Sequence, residues 1–310
     1  MGRRGDQEAV RPTSPAGGRR IRRRPASPLK LVASESAVKG LPDYHVHTFR
    51  CGHAGGASRD FVEKAIERGL AEIAFTDHIP LYFLPESDRD PALAMREDQF
   101  DGYLEEVSRL QREFCGRIAV RLGLEADYAE GHEAALARWL ARADWDLVLG
   151  SVHWVAGDWI DAPGSAARFE REGTGRLYSE YYRLLAQAAR TGFFDVLTHF
   201  DLPKKHGHRP ASPLEDAEAA AIEAARGAAC AVEISSAGLR KPVGEAYPEP
   251  RLLAGLVGAG VPVVFSSDAH APAEVGWGYE RTVPLARQAG VREFVTIEHR
   301  RKTPHPLPMP

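Results

Sequence analysis

From Leu41 onward the chain alternates between two kinds of apolar pattern. Short, nearly continuous apolar runs read as strands buried on both faces: Asp43–His47, Glu72–Thr76, Ile118–Glu125, Asp146–Val152, Phe194–Thr198, Ala231–Ser235 and Val261–Ser266. Between them lie stretches such as SRDFVEKAIERG, DQFDGYLEEVSRLQREF, GHEAALARWLARA and LYSEYYRLLAQAAR. Ala134, Leu136, Trp139 and Leu140 in the third, and Tyr178, Tyr181, Leu184 and Leu185 in the fourth, recur close to helical spacing. Ser58 is expected to cap the first helix and Gly69 to end it. Strands alternating with helices predict a parallel sheet with right-handed crossovers. There is no GxGxxG at the first turn and no change of rhythm midway, so the pattern predicts a single barrel-like α/β domain rather than an open doubly wound sheet. A last run, Glu293–Glu298, is expected to add a strand or close the end.

Residues 1–40 break this rhythm. The run RRGDQEAVRPTSPAGGRRIRRRPASP has too few apolar residues to build a core and reads as a disordered Arg/Pro-rich tail, leaving 41–310 as the folded body. No apolar segment follows either arginine pair, so a secretory signal is not expected. Deleting Met1–Ser34 is accordingly expected to leave the thermal midpoint and any turnover intact, whereas a large drop in either would show that the tail packs on the body.

Over all 310 residues, 44% are hydrophobic and 27% charged, enough for a sizeable core. No stretch approaches the roughly 18 apolar residues of a membrane span. Three scattered cysteines, Cys51, Cys115 and Cys230, give neither a disulfide framework nor a thiolate zinc site and fit a reducing cytoplasm. The net charge of −3 divides into +7 over the first thirty residues and −10 over the rest, so nucleic acid is not an expected partner of the body.

The ends of the predicted strands carry the chemistry. The first ends in His45-Val-His47, an i, i+2 pair whose rings point to one side of a strand. CGHAGG follows, with His53 among small residues that let the backbone crowd close. His78 ends the second strand, Glu125 the third, His153 the fourth and His199 the fifth; Asp268 and His270 follow the seventh. A single histidine after a strand is an ordinary polar residue. Seven imidazoles and two carboxylates converging on one barrel mouth need a cation among them. Nine nitrogen and oxygen donors exceed one tetrahedral ion, so two or three ions are expected, with Zn, Fe or Mn suited to the donor set. His206 and His208 read as solvent-exposed, and His132, His299 and His305 as surface residues.

DYHVHT, CGHA, FTDH, LGLEAD, GSVHW, DVLTHFDLPKK, VEISSAGLRKPVGEAYP and SSDAH, in this order over about residues 41–280, resemble the PHP superfamily, and within it the histidinol-phosphate phosphatases of the PHP type. The resemblance implies a distorted (β/α)7 TIM-like barrel with a trinuclear centre of divalent ions. His45, His47, Glu125 and Asp268 would hold one ion, Glu125, His153 and His199 a second, and His53, His78 and His270 the third. It implies a cytoplasmic enzyme of histidine biosynthesis acting on a small-molecule phosphate monoester. Metal-bound hydroxide would attack phosphorus in line, without a phospho-enzyme, with Glu125, Asp268 and His270 as catalytic residues. Arg240 corresponds to a phosphate-binding residue, and one of Lys204 and Lys205 is expected to help it. Two other readings remain: a related phosphoesterase acting on nucleotides or nucleic-acid ends, and a non-catalytic metal-binding module.

Around these residues, Cys51 is expected to be a packing residue and Lys241 to lie on the surface. Asp43 and Asp77 are read either as acceptors that orient imidazoles or as polar strand-end groups. Tyr82, Phe83, Trp154 and Trp159 either wall a substrate pocket or cover the barrel rim.

Overall fold

The computed structural model describes residues 38–309. The expected tail lies outside this range apart from its last residues, and there the boundary needs correcting. Val38 is buried, its carbonyl accepts from Leu41 N at 3.3 Å, and Gly40 N donates to Gly69 O at 2.9 Å, so the body already includes residues 38–40.

Seven strands follow one another both in sequence and in space: β1 (Pro42–Val46), β2 (Glu72–Phe75), β3 (Ala119–Asp127), β4 (Leu147–Ser151), β5 (Val196–Leu197), β6 (Ala231–Ser235) and β7 (Val263–Ser266). Every neighbouring pair is parallel. Closure comes at one end only, where Ala269, just past β7, pairs with Val46 through His47 N–Ala269 O at 2.9 Å and Ala269 N–His45 O at 3.0 Å. Asp43 adds a polar stitch there, accepting from Ser267 N at 2.8 Å, Ser267 Oγ at 2.5 Å and Gly276 N at 2.8 Å. The result is the distorted (β/α)7 barrel expected, with a register shift in β1 between Asp43 and Val46.

The helices are α1 (Ser58–Glu67), α2 (Phe100–Glu113), α3 (Glu133–Leu140), α4 (Ala166–Glu172), α5 (Thr174–Arg190), α6 (Glu215–Gly227), α7 (Pro250–Gly258) and α8 (Tyr279–Gln288). Their apolar stripes face the sheet; Phe100, Tyr103, Val107 and Leu110 of α2 and Tyr178, Tyr181, Leu184 and Leu185 of α5 are buried. The cap of α1 differs from expectation. Ala57 occupies that position with no side-chain bond, while Ser58 is already helical and its hydroxyl is turned into the core. Gly69, at φ +72°, follows the helix end as expected.

The last run closes an end rather than extending the sheet. β8 (Glu293–Glu298) and β9 (Arg301–Pro306) form an antiparallel hairpin, and Val295 and Ile297 join Tyr44, Leu147, Val196 and Val264 in the barrel interior. Ile297 N donates to Tyr44 Oη at 2.8 Å and Arg300 N to Asp146 O at 2.7 Å, which fixes the plug at the strands' N-terminal end. Only the opposite mouth is left for strand-end side chains to meet around an open space.

Candidate metal centre

The nine donors expected from the strand ends do converge, around Glu125. Leaving β3, its carboxylate reaches the middle of the mouth at 1% exposure. Oε2 lies 3.1 Å from His45 Nε2, 2.8 Å from His78 Nδ1 and 3.5 Å from His47 Nε2. Oε1 lies 3.4 Å from His199 Nε2 and 3.8 Å from His153 Nε2, and accepts from Ser151 Oγ at 2.6 Å. Its two oxygens thus address two groups of imidazoles. Asp268 Oδ1 sits 3.2 Å from His47 Nε2 and 3.7 Å from His45 Nε2. His53, His78 and His270 bring one ring nitrogen each within 4.8 Å of one another on the outer side.

A second layer of acceptors sets which nitrogen points inward on three of the rings, those of His45, His153 and His53. Glu233 Oε2 holds His45 Nδ1 at 3.0 Å, while Glu233 Oε1 accepts from His199 N at 2.7 Å. Asp127 Oδ1 holds His153 Nδ1 at 2.8 Å. His53 Nδ1 lies 2.9 Å from both Cys51 O and Ala92 O. Each contact places the proton on Nδ1 and leaves Nε2 as a free donor. Glu233 and Asp127 are missing from the sequence-derived set, although both left a trace. Glu233 is a charge in the middle of an otherwise apolar strand, and Asp127 follows Glu125 by two residues, on the same face of β3. Asp43 and Asp77 take the other role foreseen for them. Asp77 accepts from Thr48 N at 2.7 Å and Thr48 Oγ1 at 2.5 Å and holds the turn after His47, and neither aspartate hydrogen-bonds an imidazole.

The electrostatics are those of a site awaiting positive charge. Burial opposes ionisation of Glu125, yet His78 and His45 outweigh it and hold the carboxylate well below its usual range. Asp268 is likewise held down, His45 and His47 overcoming its burial. Burial and the neighbouring His270 and His78 drive His47 well below an ordinary imidazole, and burial brings His270 to about 4. His153 is raised to about 10, because Asp127 and Glu125 outweigh the cost of burying it. His45 Nε2, both ring nitrogens of His47, Glu125 Oε2 and His270 Nε2 are buried with no hydrogen-bond partner. Orphaned buried atoms of this kind cost about 1–3 kcal/mol each; His47 Nδ1 faces Asp77 Oδ1 at 4.0 Å, and cations among the other four would satisfy them. The donor set, all nitrogen and oxygen, fits divalent metal ions.

A cavity of about 290 Å³ opens over this cluster. Besides seven of the nine donors it is lined by Asp161, Leu202, Lys205, Lys241, Tyr247 and Glu274. Lys205 therefore faces the site, with its ammonium 2.6 Å from Asp161 Oδ2. Lys204 does not: it is buried, bonded to Ala246 O at 2.7 Å and paired with Asp201 at 2.8 Å. Lys241, expected at the surface, is half-buried on the cavity wall, because the short helical turn Ala237–Arg240 folds it back. Arg240 stands behind Asp268 rather than on the wall. Its Nη2 donates to Ser267 O at 2.8 Å and Asp268 O at 3.0 Å, Nε pairs with Glu274 at 3.3 Å, and Nη1 is buried without a partner.

The other expected residues lie away from the cavity or beside the cluster. Phe83 packs between Trp154 and Trp159 at 6.0 and 6.3 Å, and Tyr82 Oη donates to Asp127 O, so these aromatics cover the rim. Cys51 is buried near His47 and His270, and burial with Asp77 and Asp268 nearby pushes its thiol up to about 12. His206 and His208 are half-buried rather than exposed: His206 Nε2 lies 3.0 Å from Asp161 O, and His208 stacks on Phe169. His132 and His299 are exposed, whereas His305 lies half-buried on β9 beside Thr296.

Small residues matter at one point of the CGHA turn. Gly52 has φ +85°, and a Cβ there would meet Pro91 O at 2.1 Å. Gly52→Ala is expected to displace His53 and lower bound metal, checked by metal analysis of the folded variant against wild type.

Together the fold and site define a class: (β/α)7 barrels whose strand ends gather imidazoles and carboxylates suited to divalent metal ions. The PHP domain family model matches residues 43–237. The chain belongs to this family. It is 42% identical over 267 residues to the probable histidinol-phosphatase of Deinococcus radiodurans, covering 86% of this chain and all of that one. It is 28% identical to the histidinol-phosphatase of Bacillus subtilis, over 77% of this chain and 96% of that one. Its barrel resembles the crystal structure of the Lactococcus lactis histidinol phosphate phosphatase complexed with Zn, L-histidinol and phosphate, with TM-score 0.68, 22% identity, and 85% and 98% of the two chains covered. Among the described residues no helix is long and apolar enough to cross a membrane.

Proposed function

We propose that this chain is a metal-dependent phosphate monoester hydrolase that converts L-histidinol phosphate and water to L-histidinol and phosphate. The observation that carries the reading is the Glu125 carboxylate, buried among five imidazoles with one oxygen toward each of two groups of them. The names of the Deinococcus and Bacillus relatives supply the substrate, and the zinc, L-histidinol and phosphate held by the Lactococcus protein agree with it.

Three divalent ions, as Zn, Fe or Mn, fit the donors in the grouping drawn from the motifs. The first would be held by His45, His47, Glu125 and Asp268, the second by Glu125, His153 and His199, the third by His53, His78 and His270. Such ions neutralise phosphoryl charge and lower the pKa of a bound water. The protein's own part is preorganisation. Glu233 and Asp127 keep His45 and His153 in the tautomer that presents Nε2. Lys205 and Lys241 bring positive charge to the wall where a phosphate dianion would lie. Asp161, held at about 2 because Lys205 and His153 outweigh its burial, stays ionised and fixes the Lys205 ammonium. Arg240 keeps the phosphate role drawn from the motif although it stands behind Asp268: its buried, unpaired Nη1 would reach a phosphate oxygen by turning past that residue. Free cysteines at positions 51, 115 and 230 favour a cytoplasmic setting.

The test is metal analysis of the purified protein, combined with a phosphate-release panel of histidinol phosphate, nucleoside monophosphates and p-nitrophenyl phosphate. Preference for histidinol phosphate, lost on chelation and restored by metal, is expected. Turnover of nucleotides at equal or higher kcat/KM would overturn the substrate assignment.

A further inference from the structure

Tyr247 lies between β6 and α7, and nothing in the motif reading uses it. Its N–H donates to Ser235 O at 3.0 Å and its carbonyl accepts from Ser235 N at 2.7 Å, which ties the residue to the end of β6. Lys204 Nζ stands 5.2 Å from the centre of its ring, and the His199 ring meets it edge-on at 6.3 Å. Lys204 thus has a place in the site without touching the cavity: it braces the ring. The side chain is 2% exposed, lines the cavity beside the metal-binding cluster, and its hydroxyl has no hydrogen-bond partner.

That last feature separates it from the tyrosines that only pack. Tyr44, Tyr103, Tyr181 and Tyr279 are as deeply buried, and each spends its hydroxyl on an acceptor within the protein: Glu72, Phe75 O, His199 O and Pro42 O. A buried hydroxyl without a partner is costly, and phenylalanine would fill the same space without that cost. The neighbour of Tyr247 is His199, whose Nε2 is 3.4 Å from Glu125, so the phenol stands on the His199 side of the centre, on the cavity wall that also carries Lys205.

We infer that the Tyr247 hydroxyl is a further substrate-binding residue, donating a hydrogen bond to a phosphoryl oxygen. The inference rests on the phosphate-ester reading above and adds to it a donor that carries no charge and is fixed before the substrate arrives.

Tyr247→Phe keeps the ring under Lys204 and against His199 and removes only the hydroxyl. Inorganic phosphate is titrated calorimetrically into the metal-loaded wild type and variant, with metal content and thermal midpoint measured on the same samples. At unchanged metal content and midpoint, the variant is expected to bind phosphate about tenfold more weakly and to lose about ten- to a hundredfold in kcat/KM for histidinol phosphate. Equal phosphate affinity in the two proteins overturns the assignment. Failure of the wild type to hydrolyse histidinol phosphate is a different result: it removes the substrate assignment, and the phosphate titration still decides the role of the hydroxyl.

Discussion

Glu125→Gln is expected to empty most of the metal centre and to lower turnover of histidinol phosphate by roughly a thousandfold or more. The amide has the size of the carboxylate but not its charge. In the site that charge lies 2.8–3.8 Å from donor nitrogens of His45, His47, His78, His153 and His199, and among the described residues it is the only carboxylate to reach the rings of both groups. Removing one partner from a buried, charge-bearing cluster costs about 3–5 kcal/mol, and here the loss falls on two of the proposed ions at once. The amide also brings an N–H₂ that would take up imidazole lone pairs meant for metal. Metal content by elemental analysis and phosphate release on the same samples give the outcome. Full metal with near-normal turnover would remove the bridging role.

Arg240→Ala is expected to reduce kcat/KM for histidinol phosphate by about a hundredfold, the scale of losing hydrogen bonds to a charged group. Two effects act in the same direction. The free Nη1 is the proposed phosphate contact, and Nη2 holds the carbonyls of Ser267 and Asp268. Asp268 has φ +51°, a left-handed conformation that a side-chain-bearing residue adopts at some cost, so its position depends on such anchors. The metal content of the variant separates the two. Loss of activity at full metal assigns the effect to phosphate, and a parallel loss of metal assigns it to the placement of Asp268. Arg240→Lys offers one point charge in place of a planar fork and should restore only part of the activity. Wild-type kcat/KM for Arg240→Ala at full metal occupancy would take Arg240 out of the site altogether.

The metal donors were legible because each sits at a strand end, where two simple periodicities meet. His45 and His47 share a face by the two-residue repeat of a strand, and Asp268 and His270 keep the same spacing after β7. Such positions need no knowledge of distant contacts. The supporting residues do need it. Asp127 was excluded because the third apolar run was taken to end at Glu125, whereas β3 continues to Asp127 by pairing with Leu147–Ser151 of β4. Glu233 was passed over because the sixth strand carries no donor at its end, although the carboxylate in its middle reaches His45, far away in sequence.

The lysines show the limit most sharply. Lys204 and Lys205 are adjacent in a short loop, and composition treats them alike. The turn Leu202–Lys204 sends one ammonium to Asp201 and Ala246 O and the other to Asp161 at the cavity. Lys241, expected at the surface, is carried inward by the turn at Ala237–Arg240.

By itself, then, the sequence determined the barrel and the nine strand-end side chains that meet at one mouth of it, because strand and helix periods and strand-end positions are local properties of the chain. Only the tertiary structure decided that β8 and β9 plug the far end and that Glu233 and Asp127 orient the rings. It alone placed Lys205 rather than Lys204 at the cavity and left the hydroxyl of Tyr247 free beside it. Each of these depends on where a side chain from one loop or strand meets another after the barrel closes, and no local pattern encodes that meeting.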